Sequence, residues 1–253
     1  LTLGVIILLS LLVITWYIGT QVVNPTKLDG ITKDNLTQYS LSYVSDQAQI
    51  VTVKKDGSNR TIISDDNGLF AWPTWSPDGR KLVYSGLINP DKPDQEINLY
   101  LFNRETNSET LIELGGYKPE GLLANGLIHY TLWSPDNQSI AIIAVTSSGA
   151  SLFVYHLSDK KPAQLVLGQG PMWIAWSPDS KNLLAHRRFD HFLIDRINTM
   201  EVHDLDISYG GYRAPAWHPL DNSITVAMEE NDEVLKLFSI EVIAVSYTHL
   251  TLP

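Results

Sequence analysis

The chain repeats one short motif in four places, and this repeat constrains the fold more than any other feature. The copies are Trp75-Ser76-Pro77-Asp78-Gly79, Trp133-Ser134-Pro135-Asp136-Asn137, Trp176-Ser177-Pro178-Asp179-Ser180 and Trp217-His218-Pro219-Leu220-Asp221. The last three tryptophans are roughly 40 residues apart, which is the length of one supersecondary unit in many repeat proteins. The chain is therefore expected to fold as a series of equivalent units.

Each copy has the chemistry of a tight turn between two strands. Proline fixes φ for the first central position of a turn, and the following aspartate can accept a hydrogen bond from its own backbone. Gly79 and Asn137 tolerate the left-handed conformation at the end of such a turn. We therefore predict packing and capping roles for the repeat residues, namely Trp75, Pro77, Asp78, Gly79, Trp133, Pro135, Asp136, Trp176, Pro178, Asp179, Trp217 and Pro219.

Short apolar segments after each turn predict four strands per unit. The strand that directly follows the turn is predicted at residues 81–85, 139–144, 182–186 and 223–228. A third strand is predicted at residues 97–102, 151–157, 199–205 and 234–240, and a fourth at residues such as 110–114 and 164–167. Their Leu, Ile, Val and Ala content is typical of buried strands. Four-stranded units arranged radially form a β-propeller, so the predicted fold class is all-β.

The turn sequence, followed by a basic residue and an apolar strand, resembles the repeat of TolB-type propellers and, more loosely, that of the Trp-Asp repeat propellers. The resemblance extends over residues 38–244, and the last copy departs from it because His218 replaces serine and Leu220 replaces aspartate. Propellers of the TolB type are usually exported. The resemblance therefore implies that this domain lies outside the cytoplasm, in the periplasm or the extracellular space.

The two ends of the repeat region are incomplete. The first unit offers strands at residues 40–44, 49–54 and 60–64, with no Trp-Ser-Pro-Asp strand before them. Since an open edge invites unwanted pairing, we expect the C-terminal end of the natural protein to supply that inner strand. Five blades are represented, and six or more are expected in the natural protein. Residues 245–253 resemble a translated sequencing adapter, and a genuine tail is the alternative.

The first residues form a separate apolar segment. Residues 1–18 carry no charge, and Trp16 and Tyr17 stand at the far end of the run. A bilayer core needs about 20 apolar residues, and aromatic rings favour its interface. We predict a single transmembrane anchor at residues 1–20 and a linker at residues 21–37, before the propeller at 38–244. A cleaved signal peptide is the alternative, although its apolar core is usually only about 7–15 residues long.

Charge and motif content narrow the function. The net charge is −10, from 28 acidic and 18 basic residues, which argues against a nucleic-acid-binding surface. The sequence contains no Gly-x-Ser-x-Gly elbow, no His-Glu-x-x-His and no glycine-rich phosphate loop. We therefore expect no enzyme activity, no cofactor and no metal. His186 and His191 are an odd number of positions apart, which would place them on opposite faces of a continuous strand.

Two groups of residues are candidates for binding. His186 ends one predicted strand, and Arg187, Arg188 and His191 lie in the short polar loop predicted after it; this group could recognise an acidic group. Tyr212 and Arg213, before the last repeat tryptophan, could reach the channel. Solvated ion pairs and turn packing are the alternatives for these residues. Trp72, Tyr130 and Trp173 each stand three residues before a repeat tryptophan and could line the channel mouth, or else fill gaps between blades.

Two classes of function remain open. The first is a membrane-anchored interaction or sensing module that binds a protein, a peptide or an envelope ligand, since many loops of a propeller converge on one rigid face. The second is the propeller of a membrane-anchored serine peptidase whose hydrolase domain lies elsewhere in the natural protein. No residue of this chain supports catalysis, so the first class is preferred.

Overall fold

The computed structural model describes residues 40–90, 92, 96–113, 128–146, 149–159, 161, 163–168, 170, 172–195, 200–208, 216–220, 223–230 and 234–241. The predicted anchor, linker and adapter-like tail all lie outside these residues. Within them, no helix is both long and apolar enough to cross a membrane. Every regular element of the described residues is a strand, which confirms the predicted all-β class.

The strands form five antiparallel sheets in chain order. The first sheet contains β1 (Ser40–Val44), β2 (Ile50–Lys54) and β3 (Thr61–Ile62), and the second contains β4 (Gly68–Trp75), β5 (Lys81–Ile88), β6 (Glu96–Asn103) and β7 (Ser108–Ile112). The third contains β8 (Ile128–Trp133), β9 (Ser139–Thr146), β10 (Gly149–His156) and β11 (Gln164–Leu167). The fourth contains β12 (Met172–Trp176), β13 (Asn182–Arg187), β14 (Asp190–Asp195) and β15 (Glu201–Ser208), and the fifth contains β16 (Ala216–Trp217), β17 (Ser223–Glu230) and β18 (Val234–Glu241).

Each four-stranded sheet is a simple meander in which every strand pairs with the next along the chain. The strand that ends in a repeat tryptophan is always at one edge, as in β4, β8 and β12. These edge strands lie beside one another, since β4 contacts β8 and β12 contacts β16. We call them the inner strands. This arrangement of four-stranded sheets matches the blades of a propeller.

The hydrophobic core lies between neighbouring blades. On β9, Ile140 and Ile142 pack in one cluster with Val83 of the second blade. The alternate residues of β9, such as Ala141, pack in another cluster with Leu183 of the fourth blade. Because successive side chains of a strand point to opposite faces, a strand between two blades is buried on both. This explains why the second strand of each repeat is a continuous apolar run.

The prediction for the fourth unit was wrong in one respect. Residues 199–205 were expected to form its third strand, but β15, which begins at Glu201, is the fourth. The third strand is β14, which had been interpreted as part of a polar loop. The chain reverses directly after β13, at Arg188 and Phe189, and Arg188 adopts a φ of 58°. The sequence prediction therefore missed a two-residue hairpin turn, because Arg187, Arg188 and Asp190 are charged and resemble a loop.

Candidate functional site

The repeat turns have a common hydrogen-bonded geometry. In the second and third copies, the Ser134 and Ser177 hydroxyls are completely buried. The Ser177 hydroxyl donates to Asp179 at 2.7 Å and accepts the Asn182 N–H at 2.9 Å. Asn137 and Ser180, which end the two turns, both have a φ of 62°. Each turn thus holds its own backbone by a serine and an aspartate, as turn chemistry requires.

The repeat tryptophans connect one inner strand to the next. The indole N–H of Trp133 donates to the Thr74 carbonyl at 3.1 Å, and that of Trp176 donates to the Leu132 carbonyl at 3.1 Å. The indole of Trp217 donates to the Ala175 carbonyl at 2.9 Å. In every case the acceptor is the residue directly before the repeat tryptophan of the preceding blade. The tryptophans therefore set the spacing of the blades.

An exposed row of aromatic side chains lies on the same inner strands. Trp72 is 54% exposed, Tyr130 is 41% exposed and Trp173 is 44% exposed, and they belong to β4, β8 and β12. We call these three residues the aromatic row. They lie at equivalent sequence positions of successive blades, so the repeat presents one large ring per blade on the inner strands.

The backbone at Trp72 has an unusual conformation. Its φ is 58°, and the pairing of β4 with β5 shifts register between Ala71 and Thr74. A large residue in the left-handed region is uncommon and costs about 1–3 kcal/mol. Beside it, the rings of Trp72 and His129 are 6.1 Å apart. His129 adjoins the aromatic row and had no sequence signal of its own, apart from its place directly before Tyr130.

The aromatic row contains one ionisable group. Burial raises the pKa of the Tyr130 phenol above its ordinary value of 10.0. Its hydroxyl is therefore neutral in the physiological range and can both donate and accept a hydrogen bond. The row thus combines apolar ring surface with the phenol hydroxyl of its middle member, Tyr130.

The second candidate group is not one open site. His186 and His191 pair with each other across the hairpin of β13 and β14, and they are only 1% and 2% exposed. Their rings are stacked, with centroids 4.2 Å apart and planes 11° apart. The expectation that they face opposite ways was therefore wrong, because they belong to two paired strands and not to one continuous strand.

The arginines of this group have separate roles. Arg187 donates from Nη1 to the Gly168 carbonyl at 3.0 Å, and its guanidinium lies 4.5 Å from the centre of the Phe192 ring. Arg188 is exposed in the hairpin turn. The structure thus divides the predicted cluster between the sheet interior and a turn. Tyr212 and Arg213 lie outside the described residues.

Within the described part of the chain, no group of three or more His, Cys, Asp or Glu side chains could hold a metal ion.

No family model and no curated protein matches the chain. Comparison with solved structures finds proteins with a similar fold. Dipeptidyl peptidase 4 of Porphyromonas gingivalis is similar over 80% of this chain and 36% of that protein, with 11% identity and a TM-score of 0.60.

Two further structures are similar at comparable coverage. The β-propeller domain of the Trilobed protease of Pyrococcus furiosus matches 81% of this chain and 65% of that domain, with 15% identity and a TM-score of 0.52. TolB of Acinetobacter baumannii matches 81% of this chain, with 17% identity and a TM-score of 0.48, and the chain spans 49% of its length. The similarities to the peptidase and to the Trilobed protease domain, together with the blade geometry, show that this chain has a β-propeller fold.

Proposed function

We propose that this chain is the propeller of a membrane-anchored binding module, and that its aromatic row contacts an extended segment of a partner protein or a peptide. The observation that carries the proposal is the repetition of a half-exposed aromatic side chain on three successive inner strands. Single exposed apolar residues are ordinary on protein surfaces. Three exposed aromatic rings at equivalent positions of successive blades repeat the same apolar surface, and exposed apolar surface of this kind favours association.

Energetics support a contact role for these rings. Trp and Tyr are among the residues that contribute most to binding when a partner covers them. They offer a large rigid area, so little side-chain entropy is lost on association. The left-handed backbone of Trp72 adds a second argument, because local strain of this kind is concentrated at functional positions.

Charge restricts the partner. With a net charge of −10, the chain repels polyanions and favours neutral or basic partners. A peptide that combines apolar side chains with lysine or arginine would pack against the rings and be attracted by the negative charge of the chain. Arginine could also stack on the indole faces. Nucleic acid and anionic lipid are disfavoured by the same field.

The proposal can be tested with a displayed library of random peptides and the full 253-residue chain in detergent micelles. We expect the chain to enrich peptides rich in apolar and basic residues. The variant Trp72→Ser/Tyr130→Ser/Trp173→Ser should lose this enrichment, because it lacks all three rings of the aromatic row. It should still fold, because these side chains are already about half exposed. Individually, the two tryptophan substitutions should each weaken a selected peptide by about tenfold or more.

A matched control separates the aromatic row from general surface hydrophobicity. Leu111 and Leu165 are 53% and 52% exposed on the outer strands β7 and β11. The variant Leu111→Ser/Leu165→Ser should enrich the same peptides as the unaltered chain. Loss of enrichment in this control, or unchanged enrichment in the aromatic-row variant, would contradict the proposal.

The membrane anchor and the external location are parts of the same proposal. They rest on the uncharged apolar run of residues 1–18 and on the resemblance to exported propellers. Alkaline carbonate should leave the full chain in the membrane fraction, and a variant with Leu8 and Leu9 replaced by arginine should be released. In sealed inside-out vesicles the propeller should be protected from added protease. Degradation in those vesicles would place it on the cytoplasmic side.

A second candidate function is the propeller of a membrane-anchored serine peptidase. The structural similarity to dipeptidyl peptidase 4 is the observation that favours it, although similarity at 11% identity concerns the fold alone. Sequencing the natural gene across both ends of this region decides between the candidates. A Gly-x-Ser-x-Gly elbow followed by an acid and a histidine in the same reading frame would favour the peptidase.

A further inference from the structure

A cavity lies between the second and third blades, at the end of the blades where the repeat turns are found. Its volume is about 680 Å³, within the range of about 300–1,000 Å³ that is typical of small-molecule sites. Thr110 and Leu111 of the outer strand β7 line it from the second blade, and Asn137 of the repeat turn lines it from the third. No residue of the aromatic row lines this cavity, so the two surfaces are separate.

Two hydrogen bonds between the blades hold the walls of the cavity. The Asp78 N–H donates to the side-chain oxygen of Asn137 at 2.9 Å. Towards the outer strands, the Ala163 N–H donates to the Glu113 carbonyl at 2.6 Å. Asn137 and Glu113 both line the cavity, so each bond fixes one of its lining residues to the neighbouring blade. A ligand therefore needs to order little of the protein when it binds.

The second and third blades pack less closely at this level than the third and fourth. Leu101 of β6 pairs with Val83, and Val154 of β10 pairs with Ala141, so Leu101 and Val154 have equivalent positions in their blades. Val154 is 1% exposed in the core between the third and fourth blades. Leu101 is only partly buried, and it lines the cavity. A position that is filled by neighbouring side chains elsewhere in the fold is here accessible to a ligand.

The charged side chains of the lining have an excess of positive charge. Lys81 and Lys161 are its cations and Glu113 is its anion, whereas the net charge of the whole chain is −10. None of these three side chains forms an ion pair with another described residue. Lys81 is close enough to be attracted by the Asp78 carboxylate, but Asp78 does not line the cavity. A cleft lined by cations concentrates anions from solution.

The rest of the lining offers apolar surface beside these charges. Tyr155 and Leu157 of the third blade face the cavity together with Leu101 and Leu111 of the second. Sites of this kind bind the apolar body of a small molecule and use a few polar groups to orient it. A ligand with an apolar body and an anionic end matches both parts of the lining.

We propose that this cavity is a binding site for a small organic anion. The anionic group lies between Lys81 and Lys161, and the apolar body packs against Leu101 and Tyr155. Carboxylates and phosphate monoesters share the required chemistry, and the experiment below distinguishes them. The site does not depend on the function proposed for the aromatic row.

Four small aromatic probes test the proposal: benzoate, phenyl phosphate, benzyl alcohol and benzylamine. Each is titrated into the full chain in detergent micelles, and binding is followed by saturation-transfer difference NMR, with protein-free micelles as the background. We expect benzoate and phenyl phosphate to bind about tenfold more tightly than the neutral alcohol, because a hydrogen bond to a charged group is lost in the alcohol. The cationic amine should not bind. The anion with the higher affinity identifies the head group of the ligand.

Charge variants locate the anion. Lys81→Met/Lys161→Met should weaken benzoate by about tenfold or more, since it removes both cations. Lys54→Met/Lys55→Met is the matched control, because it removes the same charge from the first blade, and it should leave the affinity within about twofold. Glu113→Gln should strengthen benzoate by about threefold, since it removes a nearby negative charge.

A filling variant tests the position without a change of charge. Thr110 is exposed on β7, and Thr110→Trp places a large ring in the cavity, so it should abolish benzoate binding. Thr61→Trp is the control. Thr61 is the equivalent exposed residue of the outer strand β3 and does not line the cavity, so benzoate binding should be unchanged.

Three outcomes would overturn the proposal. In the first, benzyl alcohol binds as tightly as benzoate, which would mean that the cavity does not recognise an anion. In the second, the control lysine variant weakens benzoate as much as Lys81→Met/Lys161→Met, which would attribute binding to the general charge of the chain. In the third, benzoate binding is lost in the aromatic-row variant and kept in Thr110→Trp, which would place the probe on the aromatic row.

Discussion

The inner strands β8 and β12 have two differently used ends, which we call the turn end and the row end. At the turn end, Trp133 and Trp176 are only 5% and 7% exposed. At the row end, three positions earlier, Tyr130 and Trp173 are 41% and 44% exposed. Residues an odd number apart on a strand point to opposite faces, which accounts for the contrast. The same strand therefore contributes one ring to the fold and leaves another accessible to a partner.

At the turn end, side chains of the repeat turns join neighbouring blades by hydrogen bonds. The Asp78 N–H donates to the Asn137 side-chain oxygen at 2.9 Å, and the Asp136 N–H donates to the Ser180 hydroxyl at 2.9 Å. The residue that ends one turn thus bonds the preceding turn. At the row end, by contrast, the Gly170 N–H donates to the Ala150 carbonyl at 3.2 Å, a bond between backbone groups, and the ring centroids of Trp72 and His129 are 6.1 Å apart. This difference predicts that substitutions at the turn end change stability and those at the row end change binding.

The largest effect should come from Trp133→Ala. The substitution empties a buried site and leaves the Thr74 carbonyl without the indole donor, so we expect a loss of about 3–5 kcal/mol in the free energy of unfolding. Trp173→Ala should cost less, about 1–2 kcal/mol, because nearly half of the side chain is already exposed. Urea denaturation of the full chain measures both. Equal losses for the two variants would remove the distinction between the two ends.

A smaller loss is expected from Ser177→Ala at the turn end. The hydroxyl is fully buried and bonds both Asp179 and the Asn182 N–H, so its removal leaves a buried donor without its partner. The expected cost is about 1–3 kcal/mol. Ser158→Ala is the control, since the Ser158 hydroxyl also donates to an aspartate but is exposed. A comparable loss in the control would show that the serine–aspartate bond matters regardless of burial.

The sequence predicts the turn end well because its chemistry is local. Proline, aspartate and a following Gly, Asn or Ser specify the turn within five residues, and the strand after it is a continuous apolar run. The hairpin of β13 and β14 shows the limit of this approach. Arg188, Phe189 and Asp190 resemble a loop, and only the pairing of buried Phe192, Leu193 and Ile194 with β13 makes the segment a strand.

The row end depends on tertiary structure in a similar way. The sequence locates Trp72, Tyr130 and Trp173 by their spacing from the repeat tryptophans, but it does not indicate whether they point into the core. Exposure depends on the packing of neighbouring blades, and at Trp72 also on a register shift that no local pattern predicts. The His186–His191 pair was missed for the same reason, since its contact requires the hairpin.

Acid should weaken the turn end to a smaller extent than the loss of Ser177. Partial burial acts to raise the pKa of Asp179, but the hydrogen bonds from the Ser177 hydroxyl and the Lys181 N–H, with the Lys181 charge, outweigh it. The pKa is therefore below its ordinary value of 3.8. A lowered carboxyl pKa stabilises the fold above that ordinary value, and this contribution is lost as the pH falls through the folded pKa.

The variant Asp179→Asn measures this contribution. The unaltered chain should be more stable than the variant at neutral pH, and the gap should narrow as the pH falls below about 4 and the carboxyl takes up its proton. Urea denaturation at each pH gives the gap. A gap of constant size across this range would show that the ionised carboxylate contributes nothing beyond the shape of the turn.

The smallest effect is expected from Ser180→Gly, where two contributions oppose each other. Ser180 has a φ of 62°, and glycine relieves a left-handed conformation by about 1 kcal/mol. The same substitution removes the hydroxyl that accepts the Asp136 N–H, which costs about 1 kcal/mol. The net change should lie within about 0.5 kcal/mol. Ser180→Ala keeps the backbone strain and loses the bond, so it should destabilise the chain by about 1 kcal/mol. If urea denaturation shows no change for either variant, the hydrogen bond between these two turns contributes nothing to the free energy of unfolding.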